Sequence, residues 1–451
     1  MEILNKYLDN CQEEMKAALA RLVKIPSVSG EKEGDFPFGK ACGAALDEFL
    51  AICDQYGFKN ANYDYYAGSA DLDDKEPELG ILGHLDVVPV SEKDWSFPPF
   101  ACTEKDGKLY GRGCIDDKGP VIAALFAMKA VRDCKIPLKK GVRLIVGCSE
   151  ETGCELDIEH YCKNAVMPPM VFTPDGDFPV ITTEKGMIRF TFEGEAELQN
   201  IVSIKAGTVV NAVPNEAEAV LKNVDKSAVS PSDKVSVRSE ADGLHIVFKG
   251  KAAHASTPAE GDNALTGLID FLSRLPLANN DLAFVKRLTE LFPYNDVKGQ
   301  SLGICGEDKS GALTYVFSIA DLSDGKLTAK CDIRYPISMT KEKIRESLEK
   351  AVSPEFAITD FTANNPHCVD NDGEFVQTLL RVYQRETGLE PYCKAIGGGT
   401  YVHDIEGGVA FGMEFPEENN NMHGADEFVK LESLMRGAKI YAAAIAEFCG
   451  E

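Results

Sequence analysis

The chain has 451 residues, 44% hydrophobic and 26% charged, the profile of a globular protein too long for one ordinary core. A formal net charge of −25 repels nucleic acid and anionic lipid, so neither is an expected partner. The 14 cysteines contain no Cys-x-x-Cys pair, and Cys42, Cys53, Cys148 and Cys449 sit in apolar or helical surroundings, so they read as reduced thiols and not as a disulfide framework or a zinc ribbon.

Residues 1–25 alternate apolar and charged positions at helical spacing and read as one amphipathic helix, stopped by Ile25-Pro26-Ser27. This is not a signal peptide, because no basic segment leads into an apolar core. No run is apolar enough to span a bilayer, and a cytoplasmic protein is expected. A second helix over 38–56 ends at Gly57. A short buried strand, 79–82, leads into Gly83-His84-Leu85-Asp86. After an aromatic and proline-rich loop at 94–100, the segment Leu109-Tyr110-Gly111-Arg112-Gly113-Cys114-Ile115-Asp116-Asp117-Lys118-Gly119-Pro120 opens a helix over 121–134. Residues 142–148 form an apolar strand ending at Ser149-Glu150-Glu151-Thr152-Gly153, and 170–173 another ending at Pro174-Asp175. This alternation predicts an α/β sheet with helices on both faces.

From about residue 185 the texture changes. Strands over 187–193, 200–210, 244–249 and 326–335, with a helix over 263–275, describe an inserted α+β segment. The chain closes with a helix over 374–387, the turn Gly397-Gly398-Gly399-Thr400, and a helix over 431–448. The expected organisation is a first domain in two parts, 1–184 and 366–451, interrupted by a second domain at 185–365.

The chemistry collects at strand ends, where open α/β sheets bind ligands. His84, Asp116, Glu150 with Glu151, and Asp175 are all at strand ends or helix openings, and His423 joins them from Asn421-Met422-His423-Gly424. Each has a plain structural reading as well. His84 with Asp86 could be a buried core pair, Asp116 a helix cap, and Asp175 a turn residue. Together they are harder to explain, because uncompensated carboxylates repel one another and divalent cations remove that repulsion. Two histidines with three carboxylates suit two ions of the Zn²⁺, Mn²⁺ or Co²⁺ type. In extended chain Asp86 shares a face with His84, where a carboxylate fixes the tautomer of a ligating imidazole. Glu150 is then left over, and a free carboxylate beside such a centre is a general base.

The motifs Gly-His-Leu-Asp-Val-Val-Pro, Gly-Arg-Gly-x-x-Asp-Asp-Lys-Gly-Pro, Glu-Glu-Thr-Gly and Pro-Asp-Gly-Asp-Phe-Pro resemble the M20 family of co-catalytic metallopeptidases, and within it the PepV-type dipeptidases. The resemblance runs from Ile25-Pro26-Ser27 to His423. It implies an α/β fold, a mixed-sheet catalytic domain of co-catalytic zinc peptidase type with an inserted α+β lid domain. It also implies two divalent ions, Zn²⁺ first, with Mn²⁺ or Co²⁺ as alternatives. His84, Asp116, Glu151, Asp175 and His423 resemble the ligands, with Asp116 bridging and Asp177 a lower-ranked competitor of Asp175. Glu150 resembles the general base and Asp86 the group orienting His84. In the lid, His254 resembles the oxyanion donor, Asn211 a second contact, and Arg334 the group that holds the substrate carboxylate. Gly397, Gly398, Gly399 and Thr400 resemble a turn whose amides face the substrate. The implied activity is hydrolysis of dipeptides with a free amino terminus and a free carboxylate, by a monomer with a doubled lid. A deacylase of the same family and a non-catalytic binding protein on the same fold are the alternatives. His160, His245 and His367 have no partner motif, and His403 falls near where the PepV-type pattern carries Arg.

Overall fold

The structure is a computed structural model that describes residues 1–153 and 156–450. The chain divides into two compact units. The first holds 1–182, 368–394 and 399–451, and the second 183–367 with 395–398.

The first unit is built on a mixed sheet. Its leading strands run in the order Lys59–Tyr63, Ala67–Asp71, Gly141–Gly147, Pro77–His84, Met170–Thr173 and Val409–Ala410. Pro77–His84 is parallel to both its neighbours, and Ala67–Asp71 runs antiparallel to Gly141–Gly147. The central strands are mostly apolar because both faces are covered, with Arg143 of Gly141–Gly147 an exception that pairs with Asp71. Leu79, Ile81, Leu144 and Val146 pack into one cluster with the helices Lys40–Gln55, Lys118–Asp133 and Leu431–Cys449. Leu82, Ile145 and Val171 pack into another with helix Leu156–Asn164 and the turn at Tyr401–Asp404. Successive residues of one strand thus serve opposite faces. Helix Lys118–Asp133 is buried nearly all round, Lys118 included, whose ammonium ties down the end of the helix Gln12–Val23 by donating to the carbonyls of Leu22 (3.1 Å) and Ile25 (2.8 Å). Burial lowers the Lys118 pKa to about 8.

The N-terminal segment differs from the expected single helix. Two helices, Glu2–Asn10 and Gln12–Val23, meet at Cys11. The Cys11 amide closes a tight turn on Leu8 at 2.8 Å, and both halves send side chains to the core, Leu4 and Leu8 from one, Met15, Leu19 and Leu22 from the other. The 13 described cysteines are free thiols; seven are buried, Cys42, Cys53, Cys148 and Cys449 among them, and Cys162, Cys305 and Cys368 are exposed.

The second unit carries an eight-stranded sheet in the order Val235–Ser239, Leu244–Lys249, Glu216–Leu221, Ile201–Ala206, Thr314–Ser323, Lys326–Tyr335, Gly186–Glu195 and Ala357–Asn364. All its pairings are antiparallel. Every second residue of its central strands, such as Ile188, Phe190 and Phe192, enters a core shared with the helices Ala264–Leu272, Asn279–Leu291 and Lys341–Val352. Asn263 caps the first of these, accepting from the amides of Leu265 (3.0 Å) and Thr266 (3.1 Å).

Candidate metal centre

His84 is the last residue of its strand, and the residue before it makes room for a clamp. A Cβ on Gly83 would lie 2.3 Å from Asp117 Oδ2, the atom that accepts the His84 amide at 3.1 Å. The imidazole is fully buried. Its Nδ1 lies 3.0 Å from the Asp86 carbonyl oxygen and 3.5 Å from Asp86 Oδ1, so the nearer partner is backbone, not the expected carboxylate. The Asp86 carboxylate does other work. Its two oxygens accept the amides of Glu150 (3.2 Å) and Glu151 (3.1 Å). Asp157 continues the pattern by accepting the amides of Cys148 (2.8 Å) and Ser149 (2.9 Å), and Tyr401 donates its hydroxyl to the same Asp157 oxygen. Four successive amides are therefore held by two buried carboxylates. Neither Asp157 nor Tyr401 carries a motif that would have pointed to it.

His84 Nε2 faces Asp116 Oδ1 at 2.9 Å and Asp175 Oδ2 at 3.6 Å. His423 Nε2 faces the other Asp116 oxygen at 2.7 Å and Glu151 Oε2 at 3.0 Å. Two triads result, His84–Asp116–Asp175 and Asp116–Glu151–His423, each with ligand atoms within 4.8 Å of one another. They share Asp116, one oxygen to each side. Asp116 is not a helix cap, since the following helix begins at Lys118. Asp177 joins neither triad and pairs with Lys394. Glu150 and Glu151 lie on a 3₁₀ turn, Glu150–Thr152, and not on extended chain. The turn's rotation of about 120° per residue separates the two side chains. Glu151 enters a triad and Glu150 enters neither.

The donor set fits divalent cations. His84 Nε2 and Glu151 Oε1 are buried atoms without a hydrogen-bond partner, although carboxylates or an imidazole stand close by. Imidazole and carboxylate in this ratio suit Zn²⁺, Mn²⁺ or Co²⁺. The charges are strongly perturbed without ions. Burial disfavours the His84 cation, but the carboxylates of Asp116, Asp175 and Asp86 around it outweigh that and raise the pKa well above the ordinary imidazole value. Burial likewise opposes His423, and Asp116 with Glu151 raise it to about 11. Burial and the charge of Asp116 push Glu151 up to about 7. Burial and the charge of Asp175 raise Glu150 well above the carboxylate range.

Other expected residues gather in the second unit. The Ala255 amide donates to the Asn211 carbonyl at 2.9 Å, and Ala212 bridges to His254. His254 is exposed, with Nδ1 2.7 Å from Ser256 Oγ. Arg334 is buried. Its Nε and Nη2 donate to Asp332 (2.7 and 3.3 Å), and its Nη1 donates to the Gly397 carbonyl (3.0 Å). The turn expected at 397–400 is divided, with Gly397 and Gly398 in the second unit and Gly399 and Thr400 in the first. Thr400 caps the turn that carries Tyr401, through its hydroxyl and the Val402 amide (3.4 Å). His160 pairs with Asp64 (3.0 Å) and stacks on Tyr66, and His245 pairs with Glu218 (2.8 Å) and Asp242 (2.9 Å).

The chain is similar to several known proteins. YtjP of Bacillus subtilis is 35% identical over 428 residues, covering 91% of each chain. The Beta-Ala-Xaa dipeptidase of Lactobacillus delbrueckii subsp. lactis is 34% identical over 433 residues, covering 92% of this chain and 91% of its own. The solved structure of the di-peptidase Dug1p from Saccharomyces cerevisiae superposes with a TM-score of 0.62 at 14% identity, covering 99% of this chain and 98% of its own, which shows a common fold. The sequence profile of Peptidase family M20/M25/M40 matches residues 80–447, and the chain belongs to that family.

Proposed function

We propose that this protein is a metal-dependent dipeptidase that hydrolyses dipeptides with a free amino terminus and a free carboxylate. One observation carries the reading. Two triads share the two oxygens of Asp116, and Glu150 stands beside them outside both. His84, Asp116 and Asp175 would hold one ion, and Asp116, Glu151 and His423 the other, with Zn²⁺ assigned first. When bound, the ions supply Lewis-acid polarisation of the scissile carbonyl and lower the pKa of the attacking water. Glu150 takes the proton of that water on its carboxylate and delivers it to the leaving amine. Asp86 and Asp157 keep the Glu150 turn in place by holding its amides. From the second unit, His254 is assigned to the developing oxyanion. Asn211 and the Gly397–Thr400 turn are assigned as further substrate contacts, and Arg334 takes the substrate carboxylate.

The test is hydrolysis by chelator-stripped protein, with Zn²⁺, Mn²⁺ and Co²⁺ added back separately, on the free and N-acetylated forms of one dipeptide. Metal-restored cleavage of the free form alone is expected. Cleavage of the acetylated form alone would reassign the chain to deacylation, and no activity with any ion would overturn the enzymatic reading.

Metal loading should release protons. The surrounding carboxylates favour the protonated form of both imidazoles in the empty centre, raising His84 well above its ordinary range and His423 to about 11. A protonated ring nitrogen cannot ligate, so each ion displaces a proton and affinity falls as the pH is lowered. Calorimetric loading in two buffers of different ionisation heat reads this directly. Identical heats would refute it.

No helix of the described residues is long and apolar enough to cross a membrane. Free thiols suit a reducing compartment, and we place the protein in the cytoplasm, which fractionation against a cytoplasmic marker checks. We also take it to be a monomer, with a sedimentation mass near 49.0 kDa.

A further inference from the structure

Arg112 and Glu427 form a buried ion pair that takes no part in the reaction proposed above. Arg112 is 2% exposed and Glu427 fully buried. Neither belongs to a triad, yet between them they hold the two chain segments that bring Asp116 and His423 together. Arg112 Nη2 donates to the carbonyls of His423 (3.1 Å) and Gly424 (3.2 Å). Glu427 Oε1 accepts the amides of Gly113 (2.9 Å) and Ile115 (3.2 Å), the approach to Asp116. The Glu427 carbonyl accepts the Gly111 amide at 2.9 Å. On its outer side Arg112 lies under the chain's one tryptophan, with its guanidinium 5.4 Å from the Trp95 ring centre.

The His423 loop needs such a hold. Asn421, His423 and Asp426 all have left-handed backbone, with φ of 55°, 60° and 55°. Non-glycine residues stay in that region only where their surroundings over-determine them. The His423 side chain is itself 51% exposed, so packing does little to fix it. The two carbonyl bonds from Arg112 hold the backbone from which the imidazole reaches Asp116 and Glu151. The other triad has its own supports. His84 ends a strand and is held by Asp86 and Asp117, and Asp175 follows strand Met170–Thr173. A buried ion pair is a weak source of stability but can specify one arrangement of the chain.

We propose that Arg112, fixed by Glu427, is a positioning residue for His423, and thereby for one of the two ions, that of the Asp116–Glu151–His423 triad. The inference rests on the dinuclear reading above and deepens it. It makes an asymmetric prediction that a purely structural role does not. Loss of an outer partner of a ligand weakens metal binding by roughly 10- to 100-fold. That loss should fall on one ion alone.

The experiment strips and reloads wild type, Arg112→Lys and Glu427→Gln with Zn²⁺, then withdraws the metal with chelators of graded strength while bound zinc is counted. Lysine keeps the charge but lacks the fork that holds Glu427 with one nitrogen and both carbonyls with the other. Glutamine keeps an oxygen for the two amides but loses the charge that fixes Arg112. Wild type should hold two ions. Each variant should hold one ion at wild-type affinity and release the other about 10- to 100-fold more readily. Combining either substitution with His423→Ala should cause no further loss from the remaining ion. Equal weakening of both ions, or of neither, overturns the proposal, as does failure of both variants to fold, which would assign the pair to stability alone. Fewer than two ions on wild type would instead fail the dinuclear reading.

Discussion

Replacing Glu150 with Gln lowers turnover by roughly 10²–10⁴-fold while both ions stay bound. The separation follows from the turn that carries the two glutamates. Asp86 holds both amides, at 3.2 and 3.1 Å, so the substitution leaves the backbone where it is. Glu151 Oε2 lies 3.0 Å from His423 Nε2, inside a triad, whereas Glu150 enters neither. Burial and the charge of Asp175 raise the Glu150 carboxyl well above the carboxylate range. A group of that kind can hold the water's proton until the amine leaves. Glutamine cannot take the proton. Glu151→Gln should show the reverse pattern, an ion lost first and activity with it. Turnover by metal-loaded protein and metal content after desalting read the two effects separately. An ion missing from Glu150→Gln would mean that the two roles are exchanged.

Much of this centre is readable in the chain because its residues lie where secondary structure ends. His84 closes an apolar strand, Glu150 and Glu151 follow another, and Asp175 a third, so a sequence pattern that marks the strand ends also marks the site. The strands 244–249 and 326–335 and the helix 374–387 are likewise legible, although the first of these is buried on both faces and does not alternate. What escapes is of two kinds. Strand Ala357–Asn364 is half-exposed along its length and has no clear alternation, so nothing local marks it. Tyr401, Arg112 and Glu427 act on groups far away in sequence, as when Arg112 bonds the carbonyl of His423 and Tyr401 the carboxylate of Asp157, and Asp157 itself reaches back across a strand end to the amides of Cys148 and Ser149. No spacing rule reaches such contacts, because tertiary folding creates them. Asp86 combines both cases. Its place two residues after His84 is legible, but its grip on the Glu150 turn is not. Arg334 shows the limit from the other side. A motif singles it out, yet Asp332 already occupies much of its fork, which the sequence does not reveal.

Asp116→Ala should remove both ions at once, which no other single substitution at the centre should do. The reason is the division of its carboxylate, Oδ1 at 2.9 Å from His84 Nε2 and Oδ2 at 2.7 Å from His423 Nε2. Without it the first triad is reduced to His84 and Asp175 and the second to Glu151 and His423. Catalytic sites of this type use three protein ligands, and two leave the ion held mainly by water. Each affinity should fall by more than the roughly 10- to 100-fold that follows loss of an outer partner. Asp175→Ala and His423→Ala should each cost one ion and spare the other. Burial would raise the Asp116 carboxyl, but the imidazoles of His423 and His84 beside it hold it well below the usual carboxylate range, so it stays ionised and ready to ligate in mild acid. The pH dependence of loading should accordingly follow the imidazoles and Glu151, and not Asp116. Zinc content of the desalted variants decides the matter. An Asp116→Ala protein that keeps one ion at wild-type affinity would show that the carboxylate serves one side only, and the two-ion arrangement would have to be redrawn around a different bridge.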